Sequence, residues 1–276
     1  MSPTDTVLAR GNVAVITGGA SGIGLAVAER LRERGMRLVL ADIDEPKLRA
    51  VESRLTEAGH DVAGVICDTS SSASMTALAE ATLERFGAVH LLFNNAGIAG
   101  VGDAWGGPLD LWERVIGINL YGVVHGIRAF LPIMTEQGSG HIVNTASMAG
   151  LMALPGAAPY NATKHAVVAI SEGLFLELGA LESPLGVSVL CPGFVKTDLM
   201  VKEPERVDDP FGALIGSMLT QGVDAGIPAS DVADRFVDAV DHRRFWVLTH
   251  DEMRELPVER MRRAATETNP PMIGAD

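Results

Sequence analysis

Cysteine is almost absent from this chain of 276 residues, which contains Cys67 and Cys191 and no others. Two cysteines are too few for a scaffold held by disulfides, and no spacing typical of metal ligands links them. Each ends a short apolar run of the kind that forms a buried strand. The first ten residues lack the basic start and apolar stretch of a signal peptide. We therefore expect free, buried thiols, no bound metal and a cytoplasmic protein.

Basic charge and long apolar runs are also scarce. The chain has 22 Lys and Arg against 35 Asp and Glu, a net charge of −13. This acidic surplus argues against a nucleic-acid partner and against adsorption to anionic membranes. No run approaches the ~18 consecutive apolar residues of a membrane span, so no membrane partner is expected. Without a repeat, a low-complexity linker or a boundary in composition, residues 1–276 are predicted to form one domain.

A glycine-rich stretch lies between a predicted strand, residues 12–17, and a predicted helix, residues 25–34. Glycine lets the backbone approach a ligand closely, and the start of a helix offers unpaired amides at the positive end of its dipole. This order of strand, glycine turn and helix favours a pyrophosphate site over a tight turn without a ligand. The candidate binding residues of the turn are Gly18, Ser21, Gly22, Ile23 and Gly24.

The second predicted strand, residues 37–41, ends at Asp42, about twenty residues after the glycines, where an acid suits the hydroxyls of an adenosine ribose. A carboxylate there would repel the additional phosphate of NADP. Neither Ser21 nor Ile43 is basic, and Arg37 begins the strand at its far end. We therefore favour NAD over NADP, and a capping or turn role for Asp42 is compatible with this interpretation.

Predicted strands alternate with predicted helices along the chain, which is typical of a parallel sheet covered on both faces. Ligands of such sheets bind at the carboxyl ends of the strands. Four candidate sites fall at those ends: the glycine turn, Asp42, Asp68 and residues 94–97. The other predicted strands span residues 62–67, 89–93, 141–145, 187–191 and 245–248.

Tyr160 and Lys164 lie four residues apart on a predicted helix that runs to about residue 181, so their side chains share a face. A free tyrosine has a pKa near 10, and a neighbouring lysine cation is expected to lower it. Such a pair can pass a proton to or from an oxygen. Ser147 ends the fifth strand at the same edge of the sheet. Asn119 lies inside a helix predicted over residues 109–134, where asparagine is mildly unfavourable.

Together these residues resemble the short-chain dehydrogenase/reductase family over about residues 10–250. The motif Thr-Gly-x-x-x-Gly-x-Gly begins at Thr17, and Asn-Asn-Ala-Gly occupies residues 94–97. The resemblance implies an α/β Rossmann fold, a doubly wound seven-stranded parallel sheet in the order 3-2-1-4-5-6-7. The other matching residues are Asn119, Ser147, Tyr160 and Lys164, which correspond to the catalytic tetrad, and Pro192, Gly193 and Thr197.

The resemblance also implies roles for the tetrad. Tyr160 is the general acid or base, Ser147 orients the substrate oxygen, and Lys164 lowers the pKa of Tyr160 and binds the nicotinamide ribose. Asn119 holds a water that links Lys164 to solvent. Asp42 binds the adenosine ribose and Asp68 the adenine. Further implied cofactor positions are Asn95, Ala96, Gly97, Pro192, Gly193, Val195 and Thr197.

The expected activity is hydride transfer between NAD(P) and a small-molecule secondary alcohol or ketone, in a homodimer or homotetramer. Residues 196–227 are predicted to form an apolar lid, which suggests an apolar substrate, and residues 251–276 a tail that could cover the pocket or a neighbouring subunit. Two alternatives stay open. One is reduction of another double bond, although the family's enoyl reductases place six residues between tyrosine and lysine, where this chain has three. The other is a non-catalytic nucleotide sensor.

Overall fold

A computed structural model describes residues 6–100, 104–106, 108–197, 199 and 210–271. Seven parallel strands form one sheet in the order β3-β2-β1-β4-β5-β6-β7, which confirms the predicted fold. The strands are β1 Val13–Thr17, β2 Arg37–Asp42, β3 Val62–Ile66, β4 Leu91–Asn94, β5 His141–Thr145, β6 Gly186–Cys191 and β7 Trp246–Leu248.

The α-helices cover both faces of the sheet. α1, α2 and α8 contribute to the core on one face, and α3, α5 and α6 to the core on the other. The helices are α1 Gly22–Glu33, α2 Glu45–Glu57, α3 Ser72–Phe86, α4 Leu109–Ile116, α5 Gly122–Gln137, α6 Ala158–Ala180, α7 Pro210–Ala225, α8 Ala229–Asp241 and α9 Glu255–Ala265.

The central strand β1 explains why the sheet is sandwiched. Its side chains alternate between the two faces, as in any strand. Ala14 and Ile16 enter one core, while Val13 and Val15 enter the other, and all four are fully buried. A strand with apolar side chains on both of its faces therefore needs helices on both sides.

The helix predicted over residues 109–134 is interrupted. A π-helical turn, Gly117–Tyr121, separates α4 from α5. Asn119 lies in that turn and is fully buried. π-turns of this kind are frequently found at functional sites.

By length and composition, the helical stretch Leu109–Gln137 could cross a membrane, although the sequence analysis predicted no membrane span. This is weak support for a membrane helix, since core helices pass the same test. Here 28% of its most apolar 18-residue window is buried inside the protein. The stretch packs on α3 and α6 and carries Asn119, as a helix of the folded domain does.

The predicted lid, residues 196–227, is described in part. Residues 198 and 200–209 lie outside the described residues, as do 272–276 of the predicted tail. The described part contains α7 and one parallel bridge between Val195 and Ile227. This bridge joins the chain that leaves β6 to the chain that enters α8.

Candidate active site

A cleft of about 340 Å³ opens at the carboxyl edge of the sheet. Two predicted site residues lie behind its surface: Gly24, in the first turn of α1, and the buried Asn119. The cleft brings together the others, which are Gly18, Ser21, Gly22, Ile23, Asp42, Asp68, Asn95, Ala96, Gly97, Ser147, Tyr160, Lys164, Pro192, Gly193, Val195 and Thr197.

The glycine turn leaves the start of α1 open to the cleft. Gly18 and Gly22 adopt the left-handed backbone conformation, with φ of +63° and +53°. The residue before the helix, Ser21, makes no side-chain capping bond, and the first turn of α1 contains no acid. Its amides are therefore available to an anion, which fits a pyrophosphate.

Asn95 and Thr17 hold this turn against the end of β4. The Asn95 amide donates to the carbonyl oxygens of Thr17 and Gly18, at 3.1 and 3.3 Å. The hydroxyl of Thr17 in turn accepts from the backbone amides of Asn95 and Ala96, at 2.9 and 3.1 Å. Asn95 thus acts on the backbone of the cradle, a role that its motif alone did not specify.

Asp42 braces the same turn from β2. Its carboxylate accepts from the backbone amide of Ala20 at 3.1 Å and from that of Asp44 at 3.0 Å. The carboxylate is half-buried and also lines the cleft. The turn role and the ribose-binding role weighed from the sequence are therefore compatible. Asp68 is exposed beside it and accepts from the backbone amide of Ser70 at 2.9 Å.

The start of α6 carries Tyr160 and Lys164 to the centre of the cleft. The Lys164 ammonium donates to the carbonyl oxygen of Thr145 at 2.8 Å and lies 5.5 Å from the centre of the Tyr160 ring. Burial lowers the pKa of Lys164 to about 8. Ser147, at the end of β5, donates to the carbonyl oxygen of Pro192 at 3.3 Å.

The pKa of Tyr160 differs from the sequence prediction. Burial raises it, and a hydrogen bond with Ser147 lowers it by a smaller amount. The predicted lowering of the pKa of Tyr160 is therefore wrong. The physical reason is that the ammonium lies over the ring and bonds to Thr145, while removal of the hydroxyl from water disfavours the phenolate.

Asn119 fastens the loop that follows β4. Its amide donates to the carbonyl oxygen of Ile98 at 2.9 Å and accepts from the same residue's backbone amide at 2.9 Å. Both halves of the side chain are thereby engaged by one peptide segment. The water-holding role implied by the family resemblance stays a prediction.

Half of the cleft's apolar wall comes from segments that the sequence predicted beside the pocket, namely Leu199, Leu219 and Val223 of the lid and Met253 of the tail. Met253, from the short 3₁₀ turn after β7, lines the cleft of its own chain. No local signal marks the other four residues, Ile98, Met148, Met152 and Leu154, because they come from the segments that follow β4 and β5. The wall comprises Ile98, Met148, Met152, Leu154, Leu199, Leu219, Val223 and Met253.

Two further histidines, His141 and His165, make structural contacts. His141 begins β5, at the opposite end from the cleft, and its Nε2 lies 2.8 Å from the Ser188 hydroxyl. Burial lowers its pKa to about 3, so the ring is neutral. His165 Nδ1 lies 2.8 Å from the carbonyl oxygen of Asn161, within α6. Among the described residues, no group of three or more His, Cys, Asp or Glu could hold a metal ion.

The sheet and its cleft define a nucleotide-binding protein of the Rossmann type. Residues 12–208 match the family model described as short chain dehydrogenase. The chain belongs to the short-chain dehydrogenase/reductase family, and it is an oxidoreductase.

Relatives cover most of the chain. A CLA biosynthesis dehydrogenase/reductase of Lactiplantibacillus plantarum is 36% identical over 270 residues, 94% of each chain. The 1-deoxy-11-beta-hydroxypentalenate dehydrogenase of Streptomyces avermitilis is 35% identical over 242 residues, which cover 87% of this chain and 84% of that protein. A crystal structure of a short-chain dehydrogenase/reductase from Burkholderia phymatum in complex with NAD superposes with a TM-score of 0.92. It shares 41% identity and covers 97% of this chain and 99% of its own.

Proposed function

We propose that the protein is an NAD-dependent dehydrogenase or reductase that interconverts a neutral, apolar secondary alcohol and its ketone. The observation that carries the proposal is the convergence of Ser147, Tyr160 and Lys164 in the same cleft as the open start of α1. A nucleotide sensor needs the helix start and the glycine turn. It has no need of a tyrosine, a serine and a lysine gathered in the same cleft.

The cleft offers a place to each part of the dinucleotide. The amides at the start of α1 would hold the pyrophosphate, Asp42 the adenosine ribose and Asp68 the adenine edge. Residues 192–197 would flank the nicotinamide. When bound, the cofactor supplies the hydride chemistry, and the protein supplies orientation and proton transfer.

The proton is assigned to Tyr160. In ketone reduction its hydroxyl donates a proton to the substrate oxygen, and in alcohol oxidation its phenolate accepts one. Ser147 is within hydrogen-bonding range of Tyr160 and would hold the same oxygen. Lys164, fixed by Thr145, has donors left for a ribose hydroxyl.

The substrate class follows from the wall of the cleft. Among the described residues that line it, Asp42, Asp68 and Lys164 carry charge, and the two acids belong to the adenosine end. The side chains around the substrate end are methionines and aliphatic residues. Burying a carboxylate among them without a partner would be costly. A neutral, apolar alcohol is therefore favoured.

The function is tested by mixing the protein with NAD and a series of neutral secondary alcohols, and following absorbance by the reduced nicotinamide. We expect turnover that improves with apolar bulk. Alcohols of the same size that carry a carboxylate should have a kcat/KM lower by roughly tenfold or more. Binding of NAD without turnover of any alcohol, or of any ketone with NADH, would favour the sensor.

Replacement of Asp42 tests the cofactor preference. The carboxylate would face the additional phosphate of NADPH, so wild-type protein should bind NADH more tightly by roughly 10- to 100-fold. Asp42→Ala should bring the two affinities close together, as measured by fluorescence titration.

Asp44→Ala is the matched control for that test, because it removes a carboxylate two residues away that caps α2 and does not line the cleft. It should leave the ratio of the two affinities unchanged. Equal or tighter binding of NADPH by the wild type would sink the assignment of Asp42.

A second copy of the chain is proposed as a partner, as a homodimer or homotetramer. α6 and the residue that follows it leave large apolar side chains in water: Phe175, Leu176 and Leu181 are 44%, 63% and 76% exposed. The proposal rests on these side chains, since apolar surface that is left in water often marks a protein interface.

A further inference from the structure

His250, which follows the last strand, forms hydrogen bonds with the loop at the end of β6. The His250 ring is 6% exposed. Its Nδ1 lies 3.1 Å from the backbone nitrogen of Gly193, and its Nε2 lies 3.0 Å from the carbonyl oxygen of Phe194. A single ring thus bonds to two consecutive residues, both of which line the cleft.

The two contacts agree on one protonation state of the ring. A backbone amide can only donate, so Nδ1 must present a lone pair to Gly193. A carbonyl can only accept, so Nε2 must carry the proton toward Phe194. The Thr249 hydroxyl, 2.8 Å from Nδ1, can donate to the same lone pair. The neutral Nε2-protonated tautomer therefore satisfies every contact.

Neighbouring residues hold both the His250 ring and the loop that it contacts. A Cβ on Gly193 would lie 2.9 Å from the His250 ring, so glycine is needed for the ring to approach. On the other side, the Arg235 guanidinium bonds to both carboxylate oxygens of Asp251 at 3.0 Å. The ring is thus held from a segment anchored on α8.

The loop that His250 contacts is central to the site. The carbonyl oxygen of Pro192 accepts from the backbone amide of Met148 at 2.8 Å and from the Ser147 hydroxyl at 3.3 Å. Three residues after Pro192, Val195 forms the bridge to Ile227, at the end of the lid region. A shift of this loop would move the wall beside Ser147 and leave the adenosine end, at Asp42, in place.

We propose that His250 is a positioning residue that sets the backbone at Gly193 and Phe194 for the nicotinamide half of the cofactor. This role rests on the proposed function, since it requires a nicotinamide beside that loop. It predicts a defect confined to one half of the dinucleotide, whereas a merely structural histidine would weaken both halves alike.

Three substitutions separate the two hydrogen bonds. His250→Leu keeps apolar bulk and removes both bonds. His250→Asn offers an acceptor near the position of Nδ1, for Gly193. His250→Gln offers a donor near the position of Nε2, for Phe194. The control is His242→Asn, since His242 is exposed and bonds within its own helix end.

The readout is calorimetric affinity for NADH and for ADP-ribose, which lacks the nicotinamide, with KM and kcat for NAD alongside. For His250→Leu we expect NADH affinity to fall by roughly tenfold or more, with ADP-ribose affinity within about twofold of wild type. The Asn and Gln variants should each recover part of the loss, and His242→Asn should lose nothing.

The outcomes are distinct. Equal losses for NADH and ADP-ribose in the variants, or no loss at all, would overturn the role of His250 and leave the proposed function standing. Wild-type protein that binds ADP-ribose and gains nothing from the nicotinamide of NADH would instead count against the proposed function itself. If His250→Leu does not fold, the Asn and Gln variants still decide, because each lacks one of the two bonds.

Discussion

Tyr160→Phe is expected to lower kcat by roughly 100- to 10,000-fold, the usual contribution of a general acid or base, with little change in NADH affinity. The substitution removes one hydroxyl and keeps the ring that lies beside Lys164. The measurement is steady-state turnover in both directions, with NADH binding followed by fluorescence.

The chain provides its own control for this variant, because its other tyrosine, Tyr121, is 53% exposed and stacks on His125. Tyr121→Phe should retain full activity. Turnover that survives in Tyr160→Phe would mean that another group moves the proton.

Because burial raises the pKa of Tyr160, wild-type alcohol oxidation should quicken as the pH rises and the phenolate forms. Ketone reduction, which needs the protonated hydroxyl, should not share that rise.

Gly24→Ala is expected to weaken NADH binding by roughly 100-fold, because a Cβ at this position would lie 2.1 Å from the carbonyl oxygen of Gly18 and 2.8 Å from the Asn95 amide. The first of these contacts is with backbone, so the glycine turn itself must move and carry the α1 amides away from the pyrophosphate. Overpacking of this kind also costs stability, about 1–3 kcal/mol. Binding and thermal unfolding are both measured.

Gly179→Ala is the matched substitution, since a Cβ at Gly179, in α6, would meet no atom within 4 Å. Alanine is the better helix former by up to ~1 kcal/mol, so this variant should be as stable as wild type or more so. If Gly24→Ala bound NADH normally, the pyrophosphate would have to lie elsewhere than at the start of α1.

The fold could be predicted where local chemistry decides it. Residues next to α3 set its bounds, Ser72–Phe86, because the Ser71 side chain caps its start and Gly87 ends it in the left-handed conformation. β5 begins and ends at the predicted residues, His141 and Thr145. Here the signal lies within a few residues of each boundary.

What the sequence could not provide depends on distant residues. The π-turn around Asn119 is accompanied by its two bonds to Ile98, 21 residues away. His250 meets Gly193 across 57 residues. The pKa of Tyr160 depends on how deeply its hydroxyl is enclosed, which the spacing to Lys164 does not reveal. Strand order is enough to predict that the candidate residues meet at one edge of the sheet. Their hydrogen bonds and protonation depend instead on how the folded chain packs around them.

The π-turn changes the helical phase within the stretch Leu109–Gln137. A π-turn accommodates one residue more than an α-helical turn, and one residue corresponds to about 100° of rotation. α4 and α5 are therefore out of helical phase with each other. Deleting a single residue within Gly117–Tyr121 would bring the two into phase as one straight α-helix. It would also turn one flank by that angle and withdraw Asn119 from Ile98. A difference of one residue in the length of this turn would therefore rotate one flanking helix at the site, and would do more than shorten a helix.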